Sequence, residues 1–412
     1  MTETQAIQAL SPETRERHLG WLKEVTVIPS AAGHEGRVIA WIERWISERE
    51  GVATRRDPHG NIELRLADVP ESDAPLYFTA HLDHPTFVVD EVLSETSLVL
   101  AFRGGVMSDY FPDAKVRVHV GDSFVIGTIR GEHNPDNKEW SETDDRPFKQ
   151  YLCECDSPHG ASVGDIANWN LPDQQIIDDE FGGIIHTDAC DDLAAVAAAL
   201  SAFDELLLAK QAGEDIGDVR ILFTLAEEIG FVGAIGACKA GFMPKGSRII
   251  ALENSRAFAD APIHGGPIVR VGDRVSVFSP ELTAAVAKVA ETISGGPATP
   301  KASQKQSEMP TWKWQRKLMA GGACEASVFC AFGYTATCVC LPLGNYHNMA
   351  NLSEVQSGTY QDTPRVGREY IGLDDYHGMV DLLIACGKDL PPTSGFLDRL
   401  DKLWDGRKFV LA

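Results

Sequence analysis

The stretch Val219–Ala234, VRILFTLAEEIGFVGA, carries the reading of the chain. Val219–Thr224 is a mostly apolar run of strand length, the composition of a strand covered on both faces. It runs on to Ala226-Glu227-Glu228, and Gly230, Phe231 and Gly233 then open a helix. The same succession recurs on either side. Residues 74–80, APLYFTA, form an apolar strand followed by His81-Leu-Asp83-His84, Arg248–Leu252 is another buried strand with Glu253 at its end, and Ala336–Leu341 is a further one. Between them lie helical patterns: residues 34–50, with Val38, Ile39, Ile42, Trp45 and Ile46 at helical spacing, then 191–210, Leu282–Ile293, Cys324–Phe332 and Leu373–Cys386. Apolar strands alternating with helices predict an α/β fold, with a mixed, largely parallel sheet sandwiched by helices.

From about Thr86 to Glu180 the pattern changes. Short alternating segments such as VVDEVLSETSLVLAFRG and AKVRVHVGDSFVIGTIRG are separated by Gly, Asp and Asn. They predict a small, β-barrel-like domain over 86–180, inserted into a catalytic α/β domain made of 1–85 and 181–412. Residues 132–149 read as a long polar loop.

Composition sets outer bounds. At 412 residues, 44% hydrophobic and 24% charged, the chain is long enough for two cores and ordinary for a folded protein. Its 37 Lys and Arg against 60 Asp and Glu give a net charge of −23, which argues against nucleic acid or an anionic membrane as the main partner. Met1–Arg17 shows no basic-then-apolar leader, and no run of 18 apolar residues occurs, so a cytoplasmic chain with no membrane span is expected. The nine cysteines read as buried free thiols. Cys153-Glu-Cys155 and Cys338-Val-Cys340 leave a thiolate metal centre conceivable, but lack C-x-x-C spacing.

In open α/β sheets, ligands bind beyond the C-terminal ends of the strands. Here those ends carry His81-x-Asp83, Asp191-Asp192, Glu227-Glu228, Glu253 and His347. Singly, each has a plain reading: a cap for the helix after Asp191-Asp192, a solvated loop for the glutamates, a satisfied loop histidine for His347. Brought together, so many carboxylates would repel one another unless cations or protons offset them. Imidazole and carboxylate together suit zinc, cobalt or manganese better than calcium. Asp83, two residues from His81, is placed to orient it. Of the adjacent Glu227 and Glu228, one can hold a metal while the other faces substrate as general base.

In these motifs the chain resembles the co-catalytic metallopeptidases of the glutamyl and tetrahedral aminopeptidase family (M42). That family belongs to a wider clan of two-metal aminopeptidases, carboxypeptidases and deacylases. The resemblance rests on GHEGRVIAWI and DPHGN between Gly33 and Asn61, His81-Leu-Asp83, Asp191, EEIGFVGA at 227–234, Glu253, and His347 in LPLGNYHNM. A looser counterpart of a family run is Gly321-Gly-Ala-Cys-Glu-Ala326. It implies two divalent ions, zinc with cobalt or manganese as alternatives. One ion would be held by His81, Asp191 and Glu253, the other by Glu228, Asp191 and His347, with Asp191 bridging. It implies Glu227 as general base and Asp83 as the orienter of His81. The implied activity is aminopeptidase action on short peptides, in a homo-oligomer. A carboxypeptidase or N-acyl amino acid deacylase of the same clan, or a non-catalytic assembly or binding homologue, are the competing expectations.

The chain departs from the family pattern at His84, where the family carries Glu, at Glu253 for Asp, and at Leu193 for Arg. An imidazole at 84 is expected to touch substrate or alter metal preference. Thr311–Met319, TWKWQRKLM, reads as a substrate-facing element, a subunit contact or ordinary surface.

Overall fold

The computed structural model describes residues 10–134, 148–299, 312–392 and 395–411. Its largest sheet has eight strands: β1 (Val52–Arg56), β2 (Ile62–Leu66), β3 (Leu76–His81), β12 (Val219–Thr224), β13 (Arg248–Arg256), β14 (Ile268–Gly272), β15 (Gln315–Leu318) and β16 (Thr335–Leu343). They lie in the order β1-β2-β12-β3-β13-β16-β14-β15. The four central strands, β12, β3, β13 and β16, are mutually parallel, so their C-terminal ends open on one edge. Antiparallel pairing begins outside them, at β2 against β12 and β14 against β16.

Period-two alternation explains the two covered faces. Phe78, Ala80, Ile221, Phe223, Ile250 and Leu252 enter one core. Tyr77, Leu222 and Ile249 enter the core on the opposite face. The first core is closed by α1 (Pro12–Val25), α2 (Gly36–Ser47), α3 (Leu193–Gln211), α5 (Pro280–Ser294) and α8 (Leu373–Asp389). The second is closed by α4 (Val232–Ala240) and α6 (Glu325–Ala331). Helix α3 is apolar on nearly every side and is buried along almost its whole length, as expected of a helix packed between sheet and outer helices. The remaining helices are α7 (Leu352–Ser357) and α9 (Phe396–Arg407).

Strands β4 (Thr86–Ser94), β5 (Ser97–Arg103), β6 (Lys115–Val120), β7 (Ser123–Glu132), β8 (Gln150–Cys155) and β9 (Ile166–Trp169) close into a six-stranded barrel. Phe87, Phe102, Phe111, Tyr151 and Trp169 fill it, mostly edge to face. A third, small sheet joins β10 (Gln175–Ile177), β11 (Ile184–Thr187) and β17 (Glu369–Gly372) in that order.

Two differences from the sequence reading stand out. Helix α1 lies in a segment to which the sequence pattern assigns no element; Ser11 caps it through the N–H of Thr14, and a narrow stripe of His18, Leu22 and Val25 buries it. Strand β13 continues to Arg256, so Glu253 lies inside a strand rather than at its end. Most of the polar loop at 132–149 lies outside the described residues. All nine cysteines are free thiols. None falls in a candidate metal group among the described residues. In the 311–319 segment, Trp314 is buried against the main core and Met319 lines the cleft described below.

Candidate metal centre

The open edge of the four parallel strands gathers the acidic and histidine side chains. His81 ends β3, Glu253 lies on β13, Glu227 and Glu228 follow β12, and His347 follows β16. Asp191 and Asp192 precede α3. All seven are buried or nearly so, and all but Asp192 line one cleft of about 290 Å³.

Asp191 stands between the two histidines. One carboxylate oxygen lies 3.5 Å from His81 Nε2 and the other 3.6 Å from His347 Nε2. His347 Nε2 is also 3.5 Å from Glu228 Oε2. Each ring is aimed by its other nitrogen, His81 Nδ1 at the carbonyl oxygen of Asp83 (3.1 Å) and His347 Nδ1 at that of Gly105 (2.6 Å). Donor atoms of His81, Asp191, Asp192 and Glu253 form one close group, and those of Asp191, Glu228 and His347 another, with Asp191 in both.

The donor set fits two divalent ions. The separations of 3.5–3.6 Å are too long for hydrogen bonds. They match the edge of a tetrahedron around zinc, about 3.4 Å for ligands at roughly 2.1 Å. One oxygen each of Asp191, Glu228 and Glu253 is buried with no hydrogen-bond partner. Such orphaned acceptors are costly unless a cation takes them up. Electrostatics agree: burial pushes Asp192, Glu227, Glu228 and Glu253 well above the ordinary carboxyl range, so their charged forms are disfavoured unless cations offset them. Burial would raise Asp191 too, but the imidazoles of His347 and His81 hold it low. Burial opposes a charge on His81, yet Glu227, Asp191 and Asp83 push its pKa up.

The plain readings fail for the aspartate pair. Asp192 occupies the N-cap position of α3 without capping it. Its carboxylate instead accepts from the His81 N–H (3.2 Å) and from Asn254 Nδ2 (2.8 Å). Asp83 does more than its sequence position suggested. Its two oxygens accept the N–H groups of Glu227 (2.9 Å) and Glu228 (3.0 Å), while its carboxylate stays 3.5 Å from His81. Gly233 closes the same turn, where a Cβ would collide with the backbone of Leu225.

Several participants escaped the sequence reading. Buried Glu369, at the start of β17, accepts backbone N–H groups of Cys190, Asp191 and His347. Glu35, in the GHEG stretch, accepts from Gly33 and Ala226, and burial raises it to about 6. Glu325 lies in the Gly321–Ala326 run, and burial raises it to about 7. Arg256 and Arg270 line the cleft, and neither has an ion-pair partner among the described residues. Of these, only Glu35 and Glu325 stood in quoted motifs; lone charged residues in strands give no signal by themselves.

The sequence model of the M42 glutamyl aminopeptidase family matches residues 60–294, more than half of the chain. The chain belongs to that family. No curated protein matches the sequence. Among solved structures, several aminopeptidases and peptidases share the fold. The TET1 peptidase of Pyrococcus horikoshii, which can assemble into a tetrahedron or a large octahedral shell, is 19% identical, with 90% of this chain and 100% of that one covered at a TM-score of 0.66. A TET aminopeptidase from a marine sediment archaeon of the Thaumarchaeota is 19% identical over 91% and 98% of the two chains, TM-score 0.66. An aminopeptidase from Desulfurococcus kamchatkensis is 18% identical over 93% and 98%, TM-score 0.66. Membership in the M42 family, with these donor groups, makes the chain a metallopeptidase-type enzyme of that clan. No described helix is long and apolar enough to cross a membrane.

Proposed function

We propose that this M42 chain is an aminopeptidase that uses two divalent ions, zinc first among them, to hydrolyse short peptides. The observation that carries the reading is Asp191, whose two oxygens face His81 and His347 across a cluster of unpartnered buried carboxylate oxygens. One ion position is formed by His81, Asp191 and Glu253, the other by Asp191, Glu228 and His347. When bound, the ions polarise the scissile carbonyl and make water a stronger acid. Glu227, which the ligand groups need not share, takes the proton of the attacking water and returns it to the leaving amine. Asp83 holds Glu227 at its backbone N–H, so the base cannot drift as the proton moves.

Arg256 and Arg270 favour a substrate with a carboxylate near the scissile bond. Arg270 is 3% exposed, and its Nε has no hydrogen-bond partner. Its Nη1 donates to Ser255 Oγ (3.1 Å) and its Nη2 to the carbonyl of Met319 (3.4 Å), so the charge is buried without a carboxylate and gains most from one supplied by substrate. We extend this to a preference for an acidic first residue, in line with the family's description. We also assign residues 86–180 to an inserted barrel domain and 1–85 with 181–412 to the catalytic domain, in a homo-oligomer like the related shells.

The test is a panel of free and N-blocked peptides, given to metal-free protein reloaded with zinc, cobalt or manganese, with Glu227→Gln beside it. Cleavage of free peptides only with metal, and a variant that keeps its ions but loses about 10²–10⁴-fold in turnover, is the expected result. Cleavage of blocked substrates alone points to the deacylase reading. A protein that takes no metal refutes the proposal.

A further inference from the structure

The segments carrying Asp191 and His347 are remote in sequence, and two buried side chains outside the ligand groups tie them together. Glu369 accepts from below: one oxygen takes the N–H groups of Cys190 (2.6 Å) and Asp191 (3.0 Å), the other that of His347 (2.8 Å). His84 closes on the same two segments at other groups. Its Nδ1 lies 2.5 Å from the carbonyl oxygen of Asp191, and its Nε2 lies 2.9 Å from Asn348 Oδ1. The Asn348 amide nitrogen is committed to the carbonyls of Asp188 (2.8 Å) and Gly367 (3.2 Å), which turns Oδ1 toward the ring. Asp191 is therefore held at both its N–H and its C=O, and His347 at its own N–H and through its neighbour.

The backbone needs that restraint. His347 and Asn348 both adopt left-handed φ, 53° and 62°. Side chains other than glycine enter that region at a cost and stay there only when their surroundings hold them. The His84 ring has no nitrogen left for metal or substrate. It is absent from the lining of the cleft and borders a small void behind it, beside Asp188 and Asn348. The departure from glutamate at this position then has a physical reason: a carboxylate would set an acceptor against two acceptors.

We propose that His84 and Glu369 are positioning residues forming a two-sided clamp. The clamp sets the separation of Asp191 and His347 and thereby the occupancy of the ion position they share with Glu228. The inference rests on the two-ion reading above.

The test compares wild type with His84→Gln, His84→Glu and Glu369→Gln. Zinc per chain is measured by elemental analysis after dialysis against graded chelator, zinc affinity by calorimetry, and kcat and KM separately. The expected result is two ions in wild type. In His84→Glu and Glu369→Gln, one ion stays near wild-type affinity and the other weakens about 10–100-fold. Turnover falls while KM stays within about twofold, and His84→Gln, which keeps a donor, lies between. Circular dichroism checks folding; if a variant fails to fold, Asn348→Ala, which removes the far anchor of His84 together with the bonds of Asn348 to Asp188 and Gly367, must show the same selective weakening. A wild type that takes no ion overturns the two-ion reading and the clamp with it. A wild type with two ions, and variants that match it, lose both ions equally or change only KM, overturns the clamp alone.

Discussion

Asp83→Asn is the most informative single change at the turn that carries Glu227, the proposed base. The wild-type carboxylate is fully buried and accepts two backbone N–H groups, from Glu227 at 2.9 Å and Glu228 at 3.0 Å. Asparagine keeps one acceptor and turns an NH₂ group on the other N–H. The loss is one charge-assisted hydrogen bond and one newly orphaned buried donor, together about 1.5–3 kcal/mol. If that energy is spent holding the Glu227–Glu228 turn in register, it appears as about 10–100-fold weaker binding at the ion position that includes Glu228. Turnover should fall by a similar factor, because Glu227 moves with its backbone. The assay is zinc competition with a chromophoric chelator, alongside kcat and KM on a free peptide. The carbonyl of Asp83, which aims His81, survives the change, so the ion position built on His81 should be nearly unaffected. A variant within twofold of wild type in both affinities and in kcat would refute the role given to these two hydrogen bonds.

Two further outcomes follow from the cleft and its acids. Arg270→Met should raise KM for peptides with an acidic first residue by about 10–100-fold, the worth of one charge-assisted pair, and leave uncharged substrates near wild type; equal losses for both substrate sets would remove Arg270 from recognition. Metal-free protein should lose stability as pH rises. Burial lifts Glu35 from 4.5 to about 6 and Glu325 from 4.5 to about 7, and lifts Glu227, Glu228 and Glu253 in the same direction. A carboxyl whose folded pKa is raised contributes stability that is complete below its unfolded value and lost as pH climbs through the folded value. Urea melts of metal-free protein should therefore weaken between pH about 4.5 and 7. Zinc should reduce that slope, and metal-free stability that rises across the window would contradict the burial argument.

Much of the architecture was legible because periodicity is local. The apolar runs of β3, β12, β13 and β16 and the helical spacing of α2, α3, α5 and α8 predicted a covered, largely parallel sheet, and the structure has one. The six barrel strands show the alternation read between Thr86 and Glu180. Helix α1 escaped because only three of its residues are buried, too narrow a stripe to stand out in a polar segment. The candidate ligands His81, Glu228, Glu253 and His347 were visible because each follows or ends a strand signal, and the open edge of a parallel sheet collects such residues; Asp191 was visible as half of an aspartate pair opening a helix.

What only tertiary structure decided is who holds those side chains in place. Sequence assigned residue types that bind metal and the order in which they occur. It could not show that Asp192 takes the His81 N–H instead of capping α3, or that the barrel side reaches His347 through the carbonyl of Gly105. Nor could it pair His84 and Glu369, 285 residues apart, on the C=O and the N–H of one residue, Asp191. Strand and helix patterns arise from neighbours a few positions away. A hydrogen bond between distant segments leaves no periodic trace, and its partner is set only when the chain has folded.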